Sequence, residues 1–218
     1  MYDTILFDLD GTLSASGEGI TKSVQYALER MGCPEPDLRK LEVFIGPPLT
    51  EQFMAYAGWD EGRARQASRY FRERYETKGI YENRPYPGVS DLLSALRQAG
   101  KTLCVASSKP EPFVRKILRR CGLDGYFADM AGARLDETGS RKDEVIADAL
   151  RRLGRWEERD GVVMVGDRSH DVLGARKLGL PCVAVTYGYG SRTELEAARP
   201  LALAASPAEL EALLTGFC

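Results

Sequence analysis

The sequence contains no apolar run approaching the roughly 18 consecutive residues that a membrane-spanning helix needs. It also lacks an excess of either charge: Lys and Arg total 30, Asp and Glu total 32, and the formal net charge is −2. A chain so balanced exerts no global attraction on polyanions, which argues against nucleic acid as a partner. No basic segment leads into an apolar one near the N-terminus, which argues against export or membrane attachment. The five cysteines (Cys33, Cys104, Cys121, Cys182 and Cys218) are odd in number, scattered and without a C-x-x-C pair. That pattern excludes a zinc ribbon and a disulfide framework and reads as free thiols. Repeats and low-complexity tracts are absent as well. The expectation is a cytoplasmic protein, monomeric or homodimeric, that acts on a small soluble molecule.

What is present is a rhythm. Ile5 to Phe7, Leu103 to Ala106, Val162 to Val165 and Cys182 to Val185 are short apolar runs, too short for helices and suited to strands buried on both faces. Between them the apolar period becomes helical: Leu92, Leu93 and Leu96 before Gly100, Val114, Ile117 and Leu118 before Gly122, and Val145, Ile146, Ala149 and Leu150 before Gly154. Strand and helix in alternation imply an α/β fold, a Rossmann-like parallel sheet with helices on both faces.

One segment breaks the alternation. Residues 16–82 carry only helical patterns, such as Ile20, Val24, Ala27, Leu28 and Met31. "ENRPYPGVS" at its far side reads as a linker. The expected organisation is a core of residues 1–15 and 83–218 with an inserted α-helical cap of residues 16–82. Within the cap, the Arg-rich helix from Asp60 to Lys78 is expected to expose its charges in i,i+4 pairs and to pack Tyr70, Phe71 and Tyr75 inward.

In an open parallel sheet, ligands bind at the carboxyl ends of the strands. Asp8 and Asp10 follow the first run directly, with Gly11 letting the backbone approach a ligand closely. Ser107 and Ser108 end the second run, where Ser108 and Glu111 have the spacing of a capping box and Ser107 is left for an anion. Asp167 and Asp171 follow the third run, and Lys142 precedes the helix that leads into it. Clustered carboxylates need a cation, and hard oxygen ligands suit Mg²⁺, which accepts a substrate phosphate in its shell. Hydroxyl, lysine and metal-binding carboxylates together describe phosphoryl transfer.

Asp8-Leu9-Asp10-Gly11-Thr12, Ser107, Lys142 and Gly166-Asp167 to Asp171 resemble, in order, the four motifs of the haloacid dehalogenase-like hydrolase superfamily. The resemblance implies Asp8 as nucleophile, Asp10 as acid and base, and Ser107 with Lys142 on the phosphoryl oxygens. It implies Asp8, Asp10 (through its carbonyl), Asp167 and Asp171 around Mg²⁺. The presence of Asp10 distinguishes the chain from the carbon–halogen cleaving members that the superfamily is named for.

Gly11, Thr12 and Ser108 are expected beside the substrate, joined by Gly46 and Pro47 of "FIGPPLTEQF", which resembles a cap loop of phosphoglycolate-phosphatase-like members. "YGYGS" at residues 187–191 and "GARLDETGSRKDEVI" at residues 132–146 resemble segments of a 5′-nucleotidase-like subgroup, the second with altered spacing around Asp136 to Gly139. Gly188 and Gly190 read as turn residues, Arg134 and Arg141 as solvated or locally paired, and the single histidine, His170, as a packing or hydrogen-bonding group. The expected substrate is a small phosphomonoester, first a nucleoside 5′-monophosphate. Phosphoglycolate, a sugar phosphomutase reaction and a non-catalytic phosphate sensor stand as alternatives.

Overall fold

The computed structural model of the chain describes residues 2–216. Cys218 lies outside them, and the other four cysteines are free. Six strands form one parallel sheet: β1 (Thr4–Phe7), β4 (Thr102–Pro110), β5 (Asp129–Ala133), β6 (Val162–Gly166), β7 (Cys182–Val185) and β8 (Ala202–Ala204). Their order is β5-β4-β1-β6-β7-β8, with β1 hydrogen-bonded to β4 on one side and β6 on the other. The order reverses at β1, so the crevice for a ligand opens beyond its carboxyl end.

The strands are apolar on both faces because helices cover both. Ile5, Phe7, Leu103, Val105, Val163 and Val165 share a core with Leu92, Leu93 and Leu96 of α4 (Val89–Gln98), Val114, Ile117 and Leu118 of α5 (Glu111–Arg120), and Leu210 and Leu214 of α9 (Pro207–Gly216). The alternate residues Leu6, Cys104, Val162 and Met164 face α6 (Lys142–Arg152), α7 (Ser169–Lys177) and α8 (Arg192–Ala198). Such period-2 partitioning is the ordinary consequence of a pleated strand. β5 and β8 escaped the sequence reading, since "DMAGA" and "ALA" hold almost nothing β-branched or aromatic. Their pairing comes from neighbours that present an open edge.

Between β2 (Ser14–Ala15) and β3 (Arg84–Pro85) the described chain is helical. It holds α1 (Gly17–Arg30), a 3₁₀ stretch (Leu38–Phe44), α2 (Leu49–Ala57), α3 (Glu61–Thr77) and a second 3₁₀ turn (Gly79–Tyr81). β2 and β3 pair antiparallel, so the entering and leaving linkers are bonded to each other. In α3, Phe71 and Tyr75 are buried and stacked 5.1 Å apart, and Arg65 pairs with Glu61, as the helical pattern predicts.

The helical layer depends on one close crossing. A methyl group at Gly19 of α1 would collide with the Gly79 carbonyl oxygen, and one at Gly79 would meet Ser23 Oγ, the Gly19 carbonyl oxygen and the Tyr75 ring. Overpacking of this kind costs about 1–3 kcal/mol. Gly19→Ala is therefore expected to lower the thermal midpoint by several degrees, measured by circular dichroism. An unchanged midpoint would show that the crossing yields freely.

Candidate active site

Four polar segments converge at the carboxyl edge of β1, β4 and β6. Asp8 directly follows β1, Ser107 to Lys109 close β4, Asp167 directly follows β6, and Asp171 lies in the first turn of α7. Asp8, Asp167 and Asp171 are all buried, and each offers an oxygen within 4.8 Å of the others. Lys142, the first residue of α6, reaches Asp8 Oδ1 at 2.9 Å and Asp171 Oδ1 at 2.8 Å while donating to the Ala106 carbonyl at 3.1 Å. The other oxygen of Asp171 accepts from the Arg168 backbone N–H at 3.0 Å, so this carboxylate also caps α7.

Asp167 is held by hydrogen bonds, from the Tyr189 N–H at 2.8 Å and the Thr12 hydroxyl at 3.4 Å. Its setting explains the glycines around it. Gly11 has φ +83°, and a methyl group there or at Gly188 would run into the Asp167 carboxylate, while one at Gly190 would strike the Asp167 carbonyl. Gly188 and Gly190 lie in a bend without a positive φ, and they are small so that the 187–190 loop can lie against Asp167.

The electrostatics follow from burial. Loss of water, opposed by Lys142 and reinforced by Asp171 and Asp10, pushes the Asp8 carboxyl up to about 6. Burial, then Asp171 and Asp8, push Asp167 well above the carboxylate range. Burial alone would lower the Lys142 ammonium, yet Asp171 and Asp8 together hold it above its ordinary value. Three carboxyl groups share one ammonium in a buried, all-oxygen cluster, which is net negative when they are ionised. The donor set and the charge fit Mg²⁺, with Asp8, Asp167 and Asp171 as the residues able to hold it. The Asp10 side chain points elsewhere.

Asp10 Oδ2 accepts from Lys109 Nζ at 2.5 Å, and its Oδ1 is a buried atom without a hydrogen-bond partner among the described residues. Lys109 is itself buried and lies 5.0 Å from the centre of the Tyr75 ring. Lys109 belongs to none of the motifs read from the sequence, although its position two residues after Ser107 is a usable signal. The capping box expected of Ser108 and Glu111 does not form: Pro110 occupies the N-cap of α5, and β4 runs on through Ser107, Ser108 and Lys109. Ser107 is buried, and its Oγ accepts from the Lys109 N–H at 3.4 Å.

Beside Asp10 and Lys109 lies a cavity of about 610 Å³, counting its open mouth, with Gly46, Pro47 and Ser108 in its lining. Gly11 and Thr12 do not reach it and sit against Asp167 instead. Several contacts tie the helical layer to the sheet end, among them three from loops around the carboxylates. Arg168 donates to the Ile45 carbonyl at 2.6 Å, Tyr189 Oη accepts from the Gly17 N–H at 2.6 Å, and Glu137 accepts from the Thr50 N–H at 3.1 Å. Tyr189 thus braces the start of α1. His170 has its imidazole pushed below its ordinary value, chiefly by burial, and Nε2 meets no partner among the described residues. Arg141 pairs locally with Glu144 at 3.0 Å, as expected.

A pH dependence follows. Divalent metal binds the ionised carboxylates, so protonation of Asp8 below about pH 6 must weaken it. Without metal the sign is opposite: a carboxyl whose folded pKa is raised contributes least above that pKa, so the metal-free fold loses stability as pH rises through about 6. The rise in thermal midpoint on adding Mg²⁺ is expected to be clearly larger at about pH 8 than at about pH 5. Equal shifts would dissociate the carboxylate cluster from metal binding.

Comparison with known proteins agrees with this geometry. Residues 5–185 match the family model "Haloacid dehalogenase-like hydrolase". A 5′-nucleotidase of Pseudomonas aeruginosa is 48% identical over 98% of this chain and 96% of its own length. The tyrosine-protein kinase PtkA of Mycobacterium tuberculosis is 42% identical over 85% of this chain, which spans only 62% of that protein. The crystal structure of a predicted phosphatase from Clostridium acetobutylicum superposes with a TM-score of 0.97 at 42% identity, covering 100% of both chains. The chain therefore belongs to the haloacid dehalogenase-like hydrolase family and is a phosphatase.

Proposed function

We propose that the chain is a Mg²⁺-dependent phosphomonoester hydrolase that works through an aspartyl-phosphate on Asp8, with a nucleoside 5′-monophosphate as substrate. The observation that carries the reading is the buried carboxylate cluster on Lys142 with a second, separately held carboxylate, Asp10, beside it. Asp8 attacks phosphorus in line, forming an O–P bond as the ester O–P bond breaks. Asp10 gives its proton to the departing oxygen, then takes one from water as that water attacks phosphorus and frees Asp8 and inorganic phosphate. Ser107 and Lys142 hold the phosphoryl oxygens. Asp8, Asp167, Asp171 and the Asp10 carbonyl would hold Mg²⁺, which would supply positive charge against the phosphoryl group.

In this reading residues 1–15 and 83–218 form the catalytic core, and residues 16–82 form a cap that carries Gly46 and Pro47 over the substrate. The nucleotide assignment draws support from the Pseudomonas relative and from the aromatic lining of the cavity beside Asp10. The balanced charge supports a small soluble substrate with no nucleic acid as partner, and the lack of a long apolar helix among the described residues accords with a cytoplasmic protein without a membrane partner.

The test is phosphate release with Mg²⁺ across nucleoside monophosphates, phosphoglycolate and sugar phosphates. Asp8→Asn is expected to cut turnover at least about 10³-fold with the fold retained, since it removes the nucleophile. A variant as fast as the parent overturns the mechanism. Phosphate that leaves the substrate but reaches another acceptor would instead identify a transferase, the activity in the name of the Mycobacterium relative.

A further inference from the structure

The segment whose spacing departs from the 5′-nucleotidase-like pattern, around Asp136 to Gly139, does something specific. Asp136 Oδ1 accepts from the Thr138 N–H at 2.9 Å and its hydroxyl at 2.7 Å, and Arg134 and Thr138 close the loop through a backbone bond of 3.1 Å. Between them Glu137 takes a left-handed backbone, φ 69°, a conformation that non-glycine residues adopt only at a cost. The twist aims its side chain at the helical layer. Glu137 Oε2 accepts from the Thr50 N–H in the first turn of α2, whose N-cap, Pro48, has no capping bond to give. Its Oε1 accepts from Arg72 Nη2 of α3 at 2.7 Å.

The consequence lies in the cavity beside Asp10. Its walls are aromatic, from Phe44, Phe71, Tyr75 and Phe113, and its charged lining residues are Asp10, Lys109, Arg72 and Glu137. These four form two ion pairs: Lys109 is taken by Asp10 and Arg72 by Glu137. The cavity therefore offers flat apolar surface and no uncommitted cation. We propose that Glu137 is a specificity-determining residue: by committing Arg72 it makes the leaving-group pocket select a flat, uncharged leaving group over one that carries its own carboxylate. The inference rests on the hydrolase reading above and names which phosphomonoesters that site accepts.

The test compares phenyl phosphate with para-carboxyphenyl phosphate, two leaving groups of one shape that differ in charge, and adds adenosine monophosphate. The parent protein is expected to favour phenyl phosphate in kcat/KM by about tenfold or more, because an anion there meets the Glu137 carboxylate and no lining cation outside an ion pair. Glu137→Gln keeps an acceptor for Thr50 but releases the Arg72 charge, and should shrink that preference by about tenfold, mainly through KM for the carboxylated substrate. Adding Arg72→Gln should restore it. Equal use of both aryl phosphates by the parent overturns the inference without any variant, as does a folded Glu137→Gln protein with the parent's ratio. Failure to hydrolyse adenosine monophosphate, with the aryl preference present, removes the nucleotide assignment and leaves Glu137's role standing. No turnover of any of the three removes the hydrolase reading and this inference with it.

Discussion

Lys142 makes the carboxylate-bearing end of the sheet foldable. Asp8 and Asp171 are buried carboxylates a few ångströms apart, and each would be costly to remove from water without a partner. A single ammonium, itself buried and anchored on the Ala106 carbonyl of β4, serves both. Because it starts α6, the placement of that helix against β4 and β5 is tied to the site's charge balance. Asp167, next to this group and with no ion pair among the described residues, adds a third carboxyl oxygen to the cluster, the kind of ligand a hard divalent cation takes.

Asp10 stands outside that cluster although it is only two residues from Asp8. Strand alternation would put residues two apart on one face, but β1 ends at Phe7, and Lys109 draws Asp10 toward the cavity beside α3. Two carboxylates one residue apart thus meet different neighbours: one faces two further carboxyl groups and Lys142, the other a lysine and an aromatic wall. Their chemistry can differ for that reason alone.

The helical layer is positioned over this end of the sheet by side chains that connect distant parts of the chain. Arg168 grips the Ile45 carbonyl 123 residues away, Tyr189 braces Gly17 across 172, and Glu137 spans 87 residues to Thr50. The paired linkers β2 and β3 complete the attachment. Residues next to the carboxylate cluster therefore also govern where the pocket walls sit.

The sequence by itself determined the α/β alternation, the helical insertion and the four carboxylates with Lys142, because apolar period and residue type at strand ends are local properties. Ile5 to Phe7 could only be buried strand, and Asp8 and Asp167 could only emerge at its carboxyl edge or that of its neighbour. β5 and β8 were invisible because "DMAGA" and "ALA" pair only where an edge awaits them. Tertiary structure alone decided the partners: Lys109 for Asp10 over 99 residues, Glu137 for Arg72 over 65, and Gly188 and Gly190 against Asp167. An ion pair or a close approach is a relation between two places, and spacing along the chain does not encode the distance between them.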